Sequence, residues 1–223
     1  MRVALLSDVH ANLVALLAVL AEIVAADEVW VMGDTVGYGP DPGDVLAALT
    51  ERGARLVAGN HDRAVATGAG LELFNPAARR AALLHREWLS AEERDVLAGL
   101  PLTLAPDEGY TVCHGSPRDP LWEYIFDPGT AADAMRAAAT PHCCHGHTHV
   151  PAVYELAGGR RMINPGSVGQ PRDGDPRAAY AWLDSASAVV ELRRVEYDIA
   201  RTQDRMRARG LPGILADRLA LGR

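Results

Sequence analysis

The sequence predicts a mixed α/β protein in which two sheets pack face to face with helices outside. Five short apolar runs, VALLSDVH, VWVMGD, RLVAGNHD, YTVCHG and CCHGHTH, each end in polar residues of metal-binding type. Continuous apolar runs of this length read as strands buried on both faces. The first half of the chain alternates such runs with helical patterns, whereas the second half carries short strands at hairpin spacing. Parallel and antiparallel pairings are therefore both expected.

Residues 2–7 are expected to form the first strand, and Asn12 to cap a helix reaching about residue 25. Leu13, Leu16, Leu17, Leu20 and Ile23 give that helix an apolar face. A second strand at 28–32 leads through the loop Gly37-Tyr38-Gly39-Pro40 into a helix around 43–52. After a strand at 55–58, helices are expected from Pro76 to Trp88 and from Ser90, where Ser90 and Glu93 stand at capping-box spacing. Strands at 110–113 and 142–145 are separated by a loop and a helix near 129–138. Short strands near 152–157, 161–164, 178–183 and 188–195 follow, the first two joined through Gly158-Gly159. From about 197 to 221 two short helices, broken at Gly210-Leu211-Pro212-Gly213, are expected to pack on the rest, so that residues 1–223 form one domain. Arg201, Arg205, Arg207 and Arg209 read as the solvated face of the first of these helices, with Ile199 and Met206 inward.

With 48% hydrophobic and 23% charged residues, the chain has ample material for a core. A net charge of −7 disfavours a long nucleic acid as partner, because such affinity comes from neutralising phosphates with basic side chains. All 22 basic residues are arginine, which excludes lysine Schiff-base chemistry and leaves arginine for any side-chain phosphate clamp. Cys113, Cys143 and Cys144 lack CxxC spacing and sit within expected strands, so they read as core thiols of a reducing compartment. Met1 leads directly into the first strand without a basic leader or a long apolar span. Neither secretion nor a membrane partner is expected, and the cytoplasm is the expected location.

The five run ends fall at Asp8 and His10, at Asp34, at Asn60 with His61 and Asp62, at His114, and at His147 with His149. In open α/β sheets ligands gather beyond the carboxyl ends of strands, so these ends should converge. Carboxylates, imidazoles and an amide without thiolate suit Mn, Fe, Zn, Ni or Co. Asp8 and His10, two residues apart in an extended strand, would face one side, and His147 and His149 repeat that spacing. His85 and His142 read as ordinary core or surface histidines, and His145 as a supporting residue behind His147.

The ordered set Asp8-Val9-His10, Gly33-Asp34, Gly59-Asn60-His61-Asp62, His114-Gly115 and Gly146-His147-Thr148-His149 resembles the calcineurin-like metallophosphoesterase superfamily. The segment from Asn164 to Arg172, NPGSVGQPR, is similar to the small prokaryotic phosphodiesterases of that superfamily. The resemblance implies a four-layer αββα sandwich and two metal ions; by ligand type Mn is the first expectation and an Fe-containing pair the second. Asp8, His10, Asp34 and His149 would surround one ion, and Asp34, Asn60, His114 and His147 the other, with Asp34 shared. It implies a phosphodiesterase or phosphatase in which a hydroxide bridging the metals attacks in line. His61 would protonate the leaving group, with Asp62 fixing its tautomer.

A small phosphorylated substrate, a nucleotide among the options, fits this chemistry. Arg63, Arg118 and Arg172 are candidates to hold a phosphate, with ion pairing to a neighbouring aspartate the expected fate of Arg177. Tyr38, Trp122 and Tyr124 are candidates to stack on a base. The aromatic segment would serve equally as a hydrophobic lid or as the subunit contact of a homo-oligomer. A nuclease is disfavoured by the acidic charge. A non-catalytic scaffold, as in the retromer subunit built on the same fold, is disfavoured because such scaffolds lose motif residues that this chain keeps.

Overall fold

Strands and helices alternate early and then give way to hairpins in a computed structural model that describes all 223 residues. The strands are β1 (Arg2–Leu6), β2 (Glu28–Val31), β3 (Arg55–Leu56), β4 (Thr103–Asp107), β5 (Tyr110–Cys113), β6 (His142–Cys144), β7 (Ala152–Glu155), β8 (Arg161–Asn164), β9 (Ala178–Asp184) and β10 (Val189–Val195). The helices are α1 (Leu13–Glu22), α2 (Pro42–Glu51), α3 (Asn60–Thr67), α4 (Pro76–Trp88), α5 (Ala91–Ala98), α6 (Pro128–Ala134), α7 (Ile199–Ala208) and α8 (Gly213–Asp217). One five-stranded sheet has the order β10-β9-β1-β2-β3 and the other β4-β5-β6-β8-β7. In the first sheet β1, β2 and β3 pair in parallel and β10, β9 and β1 antiparallel; in the second, β5, β6 and β8 pair in parallel and the two edge strands antiparallel.

Alternation along β1 divides the layers. Val3 and Leu5 meet Tyr110, Val112, Cys144 and Ile163 between the sheets. Ala4 and Leu6 face the opposite way, onto Leu16 and Val19 of α1 and Val45 and Leu49 of α2. On the outer face of the second sheet, Cys113, Cys143 and Met162 pack against Ala131 and Ala134 of α6. The order helix, sheet, sheet, helix is the expected four-layer sandwich. All three cysteines are buried and free, as core thiols should be. No helix is long and apolar enough to cross a membrane.

Several expectations need correction. The first strand stops at Leu6 and the sixth at Cys144, so Asp8, His10 and His145–His149 lie on turns beyond the strands. Helix α3 was hidden because its first turn is the polar Asn60-His61-Asp62 stretch, and Asp62 secures it by accepting the Gly59 N–H at 2.9 Å. Strand β4 escaped detection because Pro106 interrupts its pattern, which an edge strand tolerates. Arg201, Arg207 and Arg209 are exposed as expected, but two of the four arginines also hold the loop after β2. Arg205 pairs with the buried Asp41, and Arg209 bonds the Pro40 carbonyl at 2.7 Å while lying over Trp88. Helices α7 and α8 thereby cover the loop that follows β2, with Met206, Leu211, Leu215 and Leu219 packed around Tyr38.

Two glycines let the ends of β2 and β3 touch. A β-carbon on Gly59 would come 2.0 Å from Asp34 Oδ1, and one on Gly33, at φ +76°, would come 2.6 Å from Gly59 N. Gly59→Ala is expected to cost about 1–3 kcal/mol in thermal or denaturant unfolding by forcing the Asp34 turn outward. Gly213→Ala, with nothing within 4 Å of the added carbon, is the neutral control. Equal stability of the two variants would contradict the close approach.

Candidate metal centre

Where the strands stop, the backbone turns left-handed at residue after residue. Asp8, His10, Asp34, His147 and His149 have φ of +52°, +48°, +53°, +68° and +60°. Such conformations cost a residue with a β-carbon roughly 1–2 kcal/mol each and cluster where function requires them. This backbone, rather than the extended geometry expected from the sequence, aims paired side chains at one place.

All seven expected ligands converge and are buried. Ligand atoms of Asp8, His10 and His149 form one group, and those of Asp34, His114 and His147 a second, each within 4.8 Å. Asp34 Oδ2 lies 3.4 Å from His114 Nε2 and 3.7 Å from His10 Nε2, so it faces both groups. Asn60 Oδ1 lies 3.1 Å from His114 Nε2 and belongs with the second. Each carboxylate is divided between structure and site. Asp34 Oδ1 accepts the His61 N–H at 2.9 Å at the start of α3, and Asp8 Oδ2 accepts the His147 N–H at 3.1 Å. The other oxygen of each is left for the cluster.

The histidines are tethered in the same manner. Nδ1–H of His10 donates to the Val36 carbonyl at 3.0 Å, that of His114 to Met32 at 2.8 Å and that of His149 to Gln170 at 2.6 Å. Each tether turns Nε2 toward the cluster, ready to ligate once it carries no proton, which is how metal-binding histidines are ordinarily oriented. Those nitrogens face other ring nitrogens: His10 Nε2 is 3.1 Å from His149 Nε2, and His114 Nε2 is 3.0 Å from His147 Nδ1. Asp8 Oδ1 and His147 Nε2 are buried without a hydrogen-bond partner. Electron pairs converging this closely away from water fit a bound cation in each group, and the donor set suits divalent metals.

Burial drives His10 and His149 well below the ordinary imidazole range, His147 down to about 2 and His61 to about 4. Burial pushes Asp8 up to about 7, against the pull of His114. Burial would raise Asp34 too, but His114 and His61 hold it well below the carboxylate range. His114 resists burial through Asp34 and rises to about 9. Protons on His114 and Asp8 therefore stand in for positive charge when no cation is bound.

A cavity of about 100 Å³ opens over the cluster, lined by Tyr38, His61, Phe74, Trp122, Tyr124 and Arg172 among others. Arg172 is held to Gln170 Oε1 at 2.8 Å and lies over the Tyr38 ring at 5.7 Å. Arg63 is exposed and does not line the cavity, and Arg118 is occupied by Glu123. Arg177 pairs with Asp175 as expected. Tyr38 is buried against His10 and His61, at 4.6 and 4.5 Å, which makes it a wall rather than an open stacking face.

His61 lines the cavity, but Asp62 does not touch its ring. The Asp62 carboxylate accepts Thr35 Oγ1–H at 2.7 Å, Val36 N–H at 3.1 Å and Gly59 N–H, so it fastens the loop after β2 to α3. The ring of His61 is packed between Tyr38 and Phe74, the latter at 4.3 Å, and its Nδ1 has no partner. Sequence reasoning missed Phe74 and Phe126. They are the only phenylalanines in the chain, and that scarcity was the available signal. His145 is buried with both ring nitrogens unpartnered, and no bond links it to His147.

Ligation requires deprotonated side chains, so cations must displace the protons of His114 and Asp8. Calorimetry at pH 7 in buffers of different ionisation enthalpy should show net release of on the order of one proton on manganese binding, with affinity rising from pH 6 to 9. Binding without proton release, or weakening as pH rises, would contradict the electrostatic reading.

The family model of the calcineurin-like phosphoesterase superfamily domain matches residues 1–188. The chain is 34% identical to the uncharacterized protein MJ0912 of Methanocaldococcus jannaschii, over 99% of its own length and 98% of that protein. It is 44% identical to the metallophosphoesterase of Sphaerobacter thermophilus, whose crystal structure superposes with a TM-score of 0.89 over 100% of this chain and 99% of that one. A shorter match, 40% identical over 86 residues, covers 36% of this chain and 31% of the symmetrical bis(5'-nucleosyl)-tetraphosphatase of Pectobacterium carotovorum subsp. carotovorum. The chain belongs to the calcineurin-like phosphoesterase superfamily.

Proposed function

We propose that the protein is a dinuclear-metal phosphoester hydrolase acting on a small phosphorylated molecule, with nucleotides the favoured class. The observation that carries this reading is the pair of buried ligand groups sharing Asp34 beneath a cavity that also holds an arginine. Asp8, His10 and His149 would hold one ion, and Asn60, His114 and His147 the other, with Asp34 between them. Two cations, when bound, supply an activated water and neutralise charge on the phosphoryl oxygens. Manganese is the metal proposed, since carboxylate, amide and imidazole donors without thiolate match it.

The chain's own groups do the rest. Arg172 neutralises a non-reacting phosphoryl oxygen at the cavity wall. His61, kept neutral by burial, offers an N–H to the leaving oxygen. Tyr124 stacks on His147 at 3.9 Å and Phe126 on Tyr124 at 5.7 Å, so an aromatic ladder runs outward from the cluster to the exposed outer ring. That surface beside an anion-binding floor suits a nucleoside attached to the reacting phosphate. The local identity to a bis(5'-nucleosyl)-tetraphosphatase supports the same class. The free thiols Cys113 and Cys143, 3.6 Å apart, support a reducing compartment such as the cytoplasm.

Asp34→Asn is expected to lower metal content and hydrolysis together, the latter by at least on the order of 10²-fold. Full activity in the variant would sink the scheme. His61→Ala should keep both metals yet slow alkyl phosphoesters by about 10²-fold, with p-nitrophenyl esters nearly unaffected. Equal losses on both would deny His61 the leaving-group role. Phe126→Ala should raise KM for nucleoside phosphoesters about tenfold and leave esters without a base unchanged. A KM that does not move for nucleosides would remove the aromatic ladder from recognition.

A further inference from the structure

His85 sits in the last turn of α4, fully buried and outside both ligand groups. Its two nitrogens span a single turn of the chain. Nδ1 accepts the Gly37 N–H at 3.0 Å, and Nε2–H donates to the Gly39 carbonyl at 2.7 Å. Because a backbone N–H can only donate, Nδ1 must carry the lone pair, and the tautomer is fixed. Burial lowers His85 to about 3, so the ring remains in the neutral form that makes both bonds.

The turn so held is unusual. Gly37 lies at φ +92° and Tyr38, which has a β-carbon, at φ +58°. The far side of the turn is fixed to the first metal motif: Gly39 N–H donates to the His10 carbonyl at 3.0 Å and Asp41 N–H to the Ala11 carbonyl at 2.9 Å. His85 thus closes the opposite side of a wedge between α4 and the His10–Ala11 segment. Without it the Gly37 N–H and Gly39 carbonyl would be left unpaired in the interior, and a left-handed tyrosine would lose its restraint.

What leans on this wedge is His61. A β-carbon on Gly37 would lie 2.3 Å from His61 Nδ1, so the bare backbone of Gly37 is in contact with the imidazole edge. The Tyr38 ring packs against the same imidazole at 4.5 Å. With Nδ1 unpartnered and Asp62 engaged elsewhere, nothing tethers the His61 ring through that nitrogen. Packing against the turn takes the place that a hydrogen-bonded carboxylate was expected to fill.

We propose that His85 is a positioning residue for His61, holding the Gly37-Tyr38-Gly39 turn as the wall that sets where the imidazole stands over the reacting phosphate. The proposal rests on the reading of His61 as donor to the leaving oxygen. A histidine that merely stabilises the fold would slow all substrates alike once the fold is loosened. A positioning histidine affects only the step that uses His61.

The test compares His85→Leu, which removes both bonds, with His85→Gln, whose amide keeps one acceptor and one donor. His85→Asn, too short to reach both groups, serves as the gentler break should the leucine variant not fold. At full metal content, His85→Leu is expected to lower kcat about tenfold on alkyl phosphoesters, with KM and the p-nitrophenyl rate little changed, and His85→Gln to restore most of it. In a His61→Ala background His85→Leu should cost nothing further. In the metal-free protein, the imidazole carbon–proton resonance of His61 should shift or broaden with leucine and return with glutamine. Losses equal for good and poor leaving groups, full additivity with His61→Ala, or an unmoved His61 resonance would each overturn the proposal. If His61→Ala itself shows no leaving-group dependence, the donor reading falls, and the metal-free spectra still decide whether His85 positions the ring.

Discussion

Ligand atoms crowded together away from water govern this molecule. Imidazole nitrogens of His10 and His149 stand 3.1 Å apart, those of His114 and His147 3.0 Å apart, and an Asp34 oxygen faces both sets in a buried site. Left without positive charge, such a cluster would spread or take up protons. It is held by backbone: carbonyls of Val36, Met32 and Gln170 fix three rings, and amides of His61 and His147 fix the two carboxylates. Because the tethers come from segments far apart in sequence, the site and the sandwich stand or fall together.

The parallel strands of the two sheets deliver those segments to one rim. Strands β1, β2 and β3 end beside β5 and β6, and β1, β2 and β6 leave their sheets through left-handed turns that an ordinary strand would not make. Left-handed residues with side chains are a local cost, offset by the core between and outside the sheets. Gly33 and Gly59 let two of these turns touch where a methyl group would separate them. The C-terminal helices add a further constraint, pressing Tyr38 toward His10 and His61 through Met206 and Leu219 and locking Asp41 with Arg205.

Much of this was legible in the chain. Apolar runs with ligand residues at their ends marked the strands that feed the site, because buried parallel strands show in composition without any partner being known. The helix from Pro76 to Trp88 and the capping box at Ser90 were equally plain, since their signals are local. Asp62 was misread for the opposite reason: next to a histidine in sequence it looks like that histidine's partner, yet on α3 its carboxylate turns back to Thr35, Val36 and Gly59. Arg118 was misread likewise, because Glu123 reaches it only once the loop is folded. The left-handed turns were not legible, since Asp and His adopt positive φ more often than most residues yet at only a small share of their positions. His85 was expected to be an ordinary core or surface histidine; it is buried, and its grip on a turn 46 to 48 residues away depends on tertiary packing that periodicity does not encode.

The most direct test of the account is anomalous diffraction from crystals of the protein saturated with manganese. Two peaks are expected, roughly 3.5–4 Å apart, one among Asp8, His10 and His149 and the other among Asp34, His114 and His147, with the Asp34 carboxylate between them. Peaks elsewhere on the molecule, or a cluster that stays free of metal at saturating concentration, would contradict the claim that these side chains are held together to bind two cations.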